Sequence, residues 1–126
     1  MIFIIGGAAQ GKRQYASGRT GIPAADMTDG AVCTPEEALH APCILHYEQL
    51  VRRLEDPEGF TQQLIRDNPA AVIVQQEIGC GIVPMDREER TWREHAGRCG
   101  CLLAAGADEV VRLFCGIPTH IKGECT

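Results

Sequence analysis

The chain has 126 residues, 44% of them hydrophobic and 23% charged, with a net charge of -5 and a pI near 5.3. That length holds one domain with a real core and leaves no room for a second, and the composition is that of an ordinary soluble globular chain. The acidic balance excludes a broad basic footprint for nucleic acid, and Met1 to Ile5 has no basic leader and is too short for a signal or membrane span, so a cytoplasmic location is expected.

Ile2 to Ile5 is an unbroken apolar run, the signature of a strand buried on both faces of a parallel sheet. It leads directly into Gly6-Gly7-Ala8-Ala9-Gln10-Gly11-Lys12. The spacing Gly6-x-x-x-x-Gly11-Lys12 fits a phosphate-binding loop, whose glycines let the backbone approach phosphate oxygens and turn N–H groups inward. A helix from Lys12 to about Ser17, ended by Gly18, would aim its positive end at the same anion while Lys12 adds a full charge. Position 13 is Arg, where the motif has the hydroxyl that ligates Mg²⁺. The alternative for this stretch is a structural glycine turn.

Arg19 to Gly30, rich in Gly, Pro, Asp and Thr, reads as a connection. Ala31 to Cys33 is a candidate short strand. Thr34-Pro35-Glu36-Glu37 is a helix start with the cap, first-turn proline and acidic third position of a capping box. Pro42 to His46 is a second core strand, Tyr47 to Leu54 continues as helix, and Asp56-Pro57 opens another helix that buries Phe60 and Leu64. Asn68-Pro69 stops it. Ala70 to Gln75 is the strongest internal strand and delivers Glu77 to a strand end, the place where open α/β sheets hold ligands. Asp86, with Glu89 completing a box, opens the longest helix. Its buried stripe is Trp92, Ala96, Cys99, Leu102 and Leu103, and it ends at Gly106-Ala107-Asp108. Glu109 to Cys115 is the last strand, after which Gly116-Ile117-Pro118 turns the chain away.

Seven cysteines, an odd number without a secretory leader, read as reduced thiols. His95, Cys99 and Cys101 include two residues on one helix face, but no C-x-x-C pair accompanies them, so buried small thiols are favoured over a metal centre. Strands alternating with helices predict an α/β protein: a doubly wound, mainly parallel sheet forming one nucleotide-binding domain over residues 1–126.

Three stretches carry a resemblance to a known family. They are IIGGAAQGK, the segment from Gln76 to Pro118, and, more weakly, Thr34 to Leu39. The sequence resembles the bifunctional adenosylcobinamide kinase / adenosylcobinamide-phosphate guanylyltransferase family of coenzyme B12 assembly. The resemblance implies a RecA-like P-loop fold, a homo-oligomer (often a trimer), and ATP or GTP as phosphoryl donor. It implies the hydroxyl of adenosylcobinamide as acceptor, and a second reaction in which GMP passes through a covalent histidine. By matching position it implies that Gly6, Gly7, Gly11 and Lys12 hold the triphosphate, with Ala8, Ala9, Gln10 and Arg13 completing the loop. Glu36 would contact nucleotide, and Glu77 would lie near the phosphates or metal. Arg93, Gly97 and Arg98 match the family's long helix, where packing and catalysis are both open.

The sequence also departs from the pattern. The second strand and the loop bearing the covalent histidine look deleted, and neither His40 nor His46 lies in a matching motif. The family's acidic metal ligand after the second core strand aligns with Tyr47, and Glu48 lies one step away. The reading is therefore a shortened kinase using Lys12 and Glu77, with Mg²⁺ recruited by Glu48 or Glu77 and the guanylyltransferase half lost. The alternatives are a non-catalytic relative that keeps the fold, with or without nucleotide binding, as a partner or regulator, and a small kinase with another substrate.

Overall fold

The computed structural model describes residues 1–7, 11–78 and 86–123. Six strands, β1 (Ile2–Gly6), β2 (Thr28–Asp29), β3 (Cys43–Leu45), β4 (Val72–Gln76), β5 (Glu109–Phe114) and β6 (Ile117–Lys122), form one sheet in the order β2-β3-β4-β1-β5-β6. All neighbours are parallel except β5 and β6. The helices are α1 (Lys12–Thr20), α2 (Pro35–His40), α3 (Tyr47–Arg53), α4 (Pro57–Asp67) and α5 (Arg87–Gly106). The expected α/β class with a mainly parallel sheet is what the chain adopts.

Alternate strand residues go to opposite faces, which is why the strands read as continuous apolar runs. Phe3, Ile44, Ile73 and Val110 pack with Leu50, Leu64, Ala96, Cys99 and Leu103 beneath α3, α4 and α5. Ile4, Leu45, Val74 and Leu113 pack on the other face with Ala16 of α1 and Met27. Tyr47 is fully buried and its hydroxyl lies 2.7 Å from Thr61 Oγ1; burial pushes its ionisation well up. Burial likewise pushes the Cys43 thiol up to about 11, in keeping with an inert core cysteine.

Several expectations need correction. Helix α1 runs through Gly18 to Thr20 and stops at Gly21, whose left-handed backbone (φ 73°) lets its N–H reach the Ser17 carbonyl. Ala31 to Cys33 is a turn. Asp29 satisfies its backbone, accepting from Val32 and Cys33 through its carbonyl and from Ala31 through its carboxylate. The strand at this edge is β2, two residues earlier and only two residues long. The Asp86 box does not form: Asp86 caps the helix by accepting from the Glu88 N–H, and Glu89 turns to Arg52 at 2.8 Å. Leu102 is half-buried and stands outside the buried stripe.

The chain does not leave after β5. Cys115 (φ 52°) and Gly116 (φ 77°) make a two-residue turn with both central residues left-handed, and β6 folds back antiparallel. Pro118 is tolerated because β6 is an edge strand, and its face is largely exposed, Ile117 at 65% and Ile121 at 60%.

One glycine fixes the corner that matters for function. A Cβ on Gly30 would run into the His46 carbonyl oxygen and stand 2.9 Å from that of Leu45, and Gly30 also donates its N–H to Leu45 at 2.7 Å. Gly30→Ala is expected to cost about 1–3 kcal/mol by overpacking, read from thermal or urea unfolding.

Candidate phosphate-binding site

The carboxyl ends of β1, β3 and β4 converge where open α/β sheets bind ligands. Gly11 precedes α1 in a left-handed conformation (φ 87°), which a side chain would strain. Gly6 is needed for a different reason: a Cβ there would stand 2.7 Å from the Leu113 carbonyl oxygen of β5. Ala8, Ala9 and Gln10 lie outside the described residues.

A cavity of about 230 Å³ opens at the start of α1, walled by Gly11, Lys12, Arg13, Gln14, Leu45, His46, Glu48, Val74 and Gln76. The Lys12 ammonium donates to the Gly7 carbonyl across the loop. Burial lowers its pKa below the usual lysine value, and the negative charges of Glu48 and Glu77 oppose that shift. A desolvated lysine at a helix N-terminus places two sources of positive potential side by side.

Glu48 faces it. The backbone of His46 adopts a left-handed conformation (φ 55°) as the cap of α3, and this sharp corner swings Glu48, in the first turn, under the loop. Glu48 is 2% exposed. Its Oε1 accepts from the Gln76 N–H at 2.7 Å and its Oε2 from the Gln49 N–H at 3.2 Å. Trp92 secures the same turn, donating Nε1–H to the Glu48 carbonyl at 2.7 Å. Arg13 Nη2 lies 3.3 Å from His46 Nε2, and His46 Nδ1 lies 3.9 Å from Glu48 Oε2. With Arg13 donating, the imidazole proton is on Nδ1, toward the carboxylate.

The fold thus brings Gly11, Lys12, Arg13 and Glu48 together. It does not bring Glu77 or Glu36 into this cavity. Glu77 is held by Arg112, Nε to Oε1 at 3.1 Å and Nη2 to Oε2 at 3.3 Å, while its N–H bonds the Gly6 carbonyl. Glu36 is exposed on the first turn of α2, and His40 is exposed at its end. Arg93, Gly97 and Arg98 line a separate groove between α4 and α5, where Glu58 pairs with His95 at 2.7 Å and with Arg98 at 3.6 Å. Among the described residues, no three His, Cys, Asp or Glu side chains gather as a metal-binding group. Two participants escape a linear reading: His46, whose role depends on its backbone corner, and Gln76, which contributes an N–H.

Comparison with known proteins decides the family. A family model described as cobinamide kinase / cobinamide phosphate guanyltransferase matches residues 40–121, well over half of the chain. The chain belongs to this family. Within the cobinamide kinase family, the bifunctional adenosylcobalamin biosynthesis protein CobU of Salmonella typhimurium (strain LT2) is 39% identical over 77 residues, covering 60% of this chain and 42% of that protein. CobU of Escherichia coli (strain K12) is 47% identical over 51 residues, 40% of this chain and 28% of the relative. The aligned region is thus less than half the length of each of these curated relatives. The family match takes in β3 to β6 and leaves out β1 and α1, so the phosphate loop rests on its own spacing and geometry. Among the described residues, no helix is long and apolar enough to cross a membrane.

Proposed function

We propose that this chain binds ATP or GTP at the loop after β1 and transfers the terminal phosphoryl group to the hydroxyl of adenosylcobinamide, without the guanylyl transfer that a covalent histidine supports. The observation that carries this reading is the meeting of Lys12, at the positive end of α1, with the buried Glu48 across one cavity. Phosphoryl transfer asks the protein mainly for positioning and electrostatic stabilisation. Gly11 and the first N–H groups of α1 would cradle the phosphates, and Lys12 would leave the Gly7 carbonyl for a phosphate oxygen.

Mg²⁺ is commonly bound by one carboxylate together with waters and substrate phosphates, and Glu48 fits that donor set because each oxygen keeps a lone pair beyond its backbone bond. When bound, the ion would neutralise charge on the phosphates. Arg13 stands in the place of the usual hydroxyl ligand and would share that work through its guanidinium. Glu77, tied to Arg112, supports the loop from the strand side instead of ligating the ion.

A second reading, a relative that binds nucleotide without turnover, is favoured by Arg13 and by the closed Glu77–Arg112 pair. One experiment separates them. Incubation with adenosylcobinamide and each triphosphate, with and without Mg²⁺, should give a phosphorylated product by mass, and nucleotide should raise the melting temperature more with Mg²⁺ present. A nucleotide shift indifferent to Mg²⁺ with no product would transfer the case to the non-catalytic reading.

A further inference from the structure

We propose that Asp29 and the small cavity beside it form the acceptor half of the site, taking a narrow alcohol-bearing arm and aligning its hydroxyl with the terminal phosphorus. This rests on the phosphoryl-transfer reading above and adds the acceptor's place and its base. A second cavity, of about 370 Å³, shares Arg13, Leu45 and His46 with the phosphate cavity, so the two meet across the Arg13–His46 pair. Its other walls are Ala24, Ala25, Met27 and Asp29. Asp29 ends β2 in register with Leu45 of β3, on the same carboxyl edge of the sheet as the phosphate loop.

The carboxylate is held at one oxygen and available at the other. Oδ1 accepts from the Ala31 N–H at 2.9 Å, and Oδ2 makes no hydrogen bond among the described residues. That is the geometry of an oriented general base. Two alanines, a methionine and Leu45 supply the apolar part of the wall, and Arg13 and His46 its polar part. The volume is at the lower end of the roughly 300–1,000 Å³ typical of small-molecule sites, so it admits an arm and excludes a macrocycle. Arg13 and Asp29 give the cavity both signs of charge, and the carboxylate is the group suited to accept from an alcohol. In the transfer, the hydroxyl proton passes to Asp29 Oδ2 and the acceptor oxygen bonds to the terminal phosphorus. The bond from that phosphorus to the bridging oxygen breaks, and the nucleoside diphosphate leaves with the electron pair. Asp29 then returns its proton to solvent.

The test uses the full chain, ATP and GTP, and adenosylcobinamide as the acceptor probe. Asp29→Asn keeps the oxygen that holds the turn and removes the base. It should lower transfer by about 10²–10⁴-fold with the nucleotide KM and the nucleotide melting shift unchanged. Ala24→Phe fills the cavity and should abolish acceptor binding, measured by equilibrium dialysis with ADP present, while the nucleotide shift shows that the variant is folded. Transfer by Asp29→Asn at the wild-type rate, or wild-type acceptor affinity in Ala24→Phe, would overturn the assignment and leave the kinase reading standing. If the wild type binds nucleotide and transfers nothing, the kinase reading falls and dialysis alone decides. Acceptor binding that Ala24→Phe abolishes then supports the subsite, and absent or unaltered binding overturns it.

Discussion

Lys12→Ala is expected to remove almost all stabilisation by ATP or GTP while leaving the protein folded. For the wild type at nucleotide a hundredfold above Kd, linkage gives about 2.7 kcal/mol of stabilisation. At roughly 3–5 °C per kcal/mol for a chain of this size, that is a rise of about 10 °C in Tm. A charge-assisted bond from an ammonium to phosphate is worth about 1.5–3 kcal/mol, so the variant binds up to about a hundredfold more weakly. At the same nucleotide concentration it keeps about 0.4 kcal/mol, a shift of only one or two degrees. The nucleotide-free variant should melt no earlier than wild type, because burial works against the Lys12 ammonium. A lysine whose pKa is lowered on folding opposes the folded state at neutral pH, and that cost fades as pH rises through the folded pKa toward 10.5. Scanning fluorimetry with and without nucleotide reads both quantities. An undiminished shift in Lys12→Ala would remove the loop from the site.

Glu48→Gln is the second large effect, and it acts on fold and site together. Both Glu48 oxygens accept from backbone N–H groups, at 2.7 Å from Gln76 and 3.2 Å from Gln49. An amide has one acceptor oxygen, so one of the two donors loses its partner, at a cost of about 1–3 kcal/mol for a buried group. Removing the carboxylate also takes away one of the two charges that hold the Lys12 pKa up, so the lysine should titrate still lower. The nucleotide shift should lose whatever Mg²⁺ dependence the wild type has, since the one buried carboxylate of the cavity is gone. Arg13→Ser should do the reverse and strengthen that dependence by restoring a hydroxyl ligand. Melting curves in Mg²⁺ and in EDTA test both, and an unaltered Mg²⁺ response in Glu48→Gln would exclude Glu48 as the ion's partner.

Local chemistry made much of the fold legible. Ile2 to Ile5 and the Val72–Val74 run betray strands buried on both faces, and Thr34 with Glu37 forms the full capping box that its spacing predicts. The two missed strands share one cause. Strand β2 is two residues long and β6 is an exposed edge with a proline, so neither carries a period to read. Both exist because a neighbouring strand offers unpaired backbone groups.

The site divides in the same way. Gly11 and Lys12 are recognisable from spacing, because the left-handed turn and the helix that follows are local events. Glu48 is named in the sequence only beside Glu77, one step from the expected acidic position; the left-handed corner at His46, which places it in the first turn of α3, has no local signal. Glu77 ends its strand as the sequence indicates, and the tertiary fold adds a partner that no local pattern names, Arg112 from β5. Sequence alone therefore determined most of the elements, the family likeness and the glycine-lysine turn, all of which depend on residues near one another in the chain. Which carboxylate faces the lysine was left to the packed sheet, because that choice is made by contacts between residues dozens of positions apart.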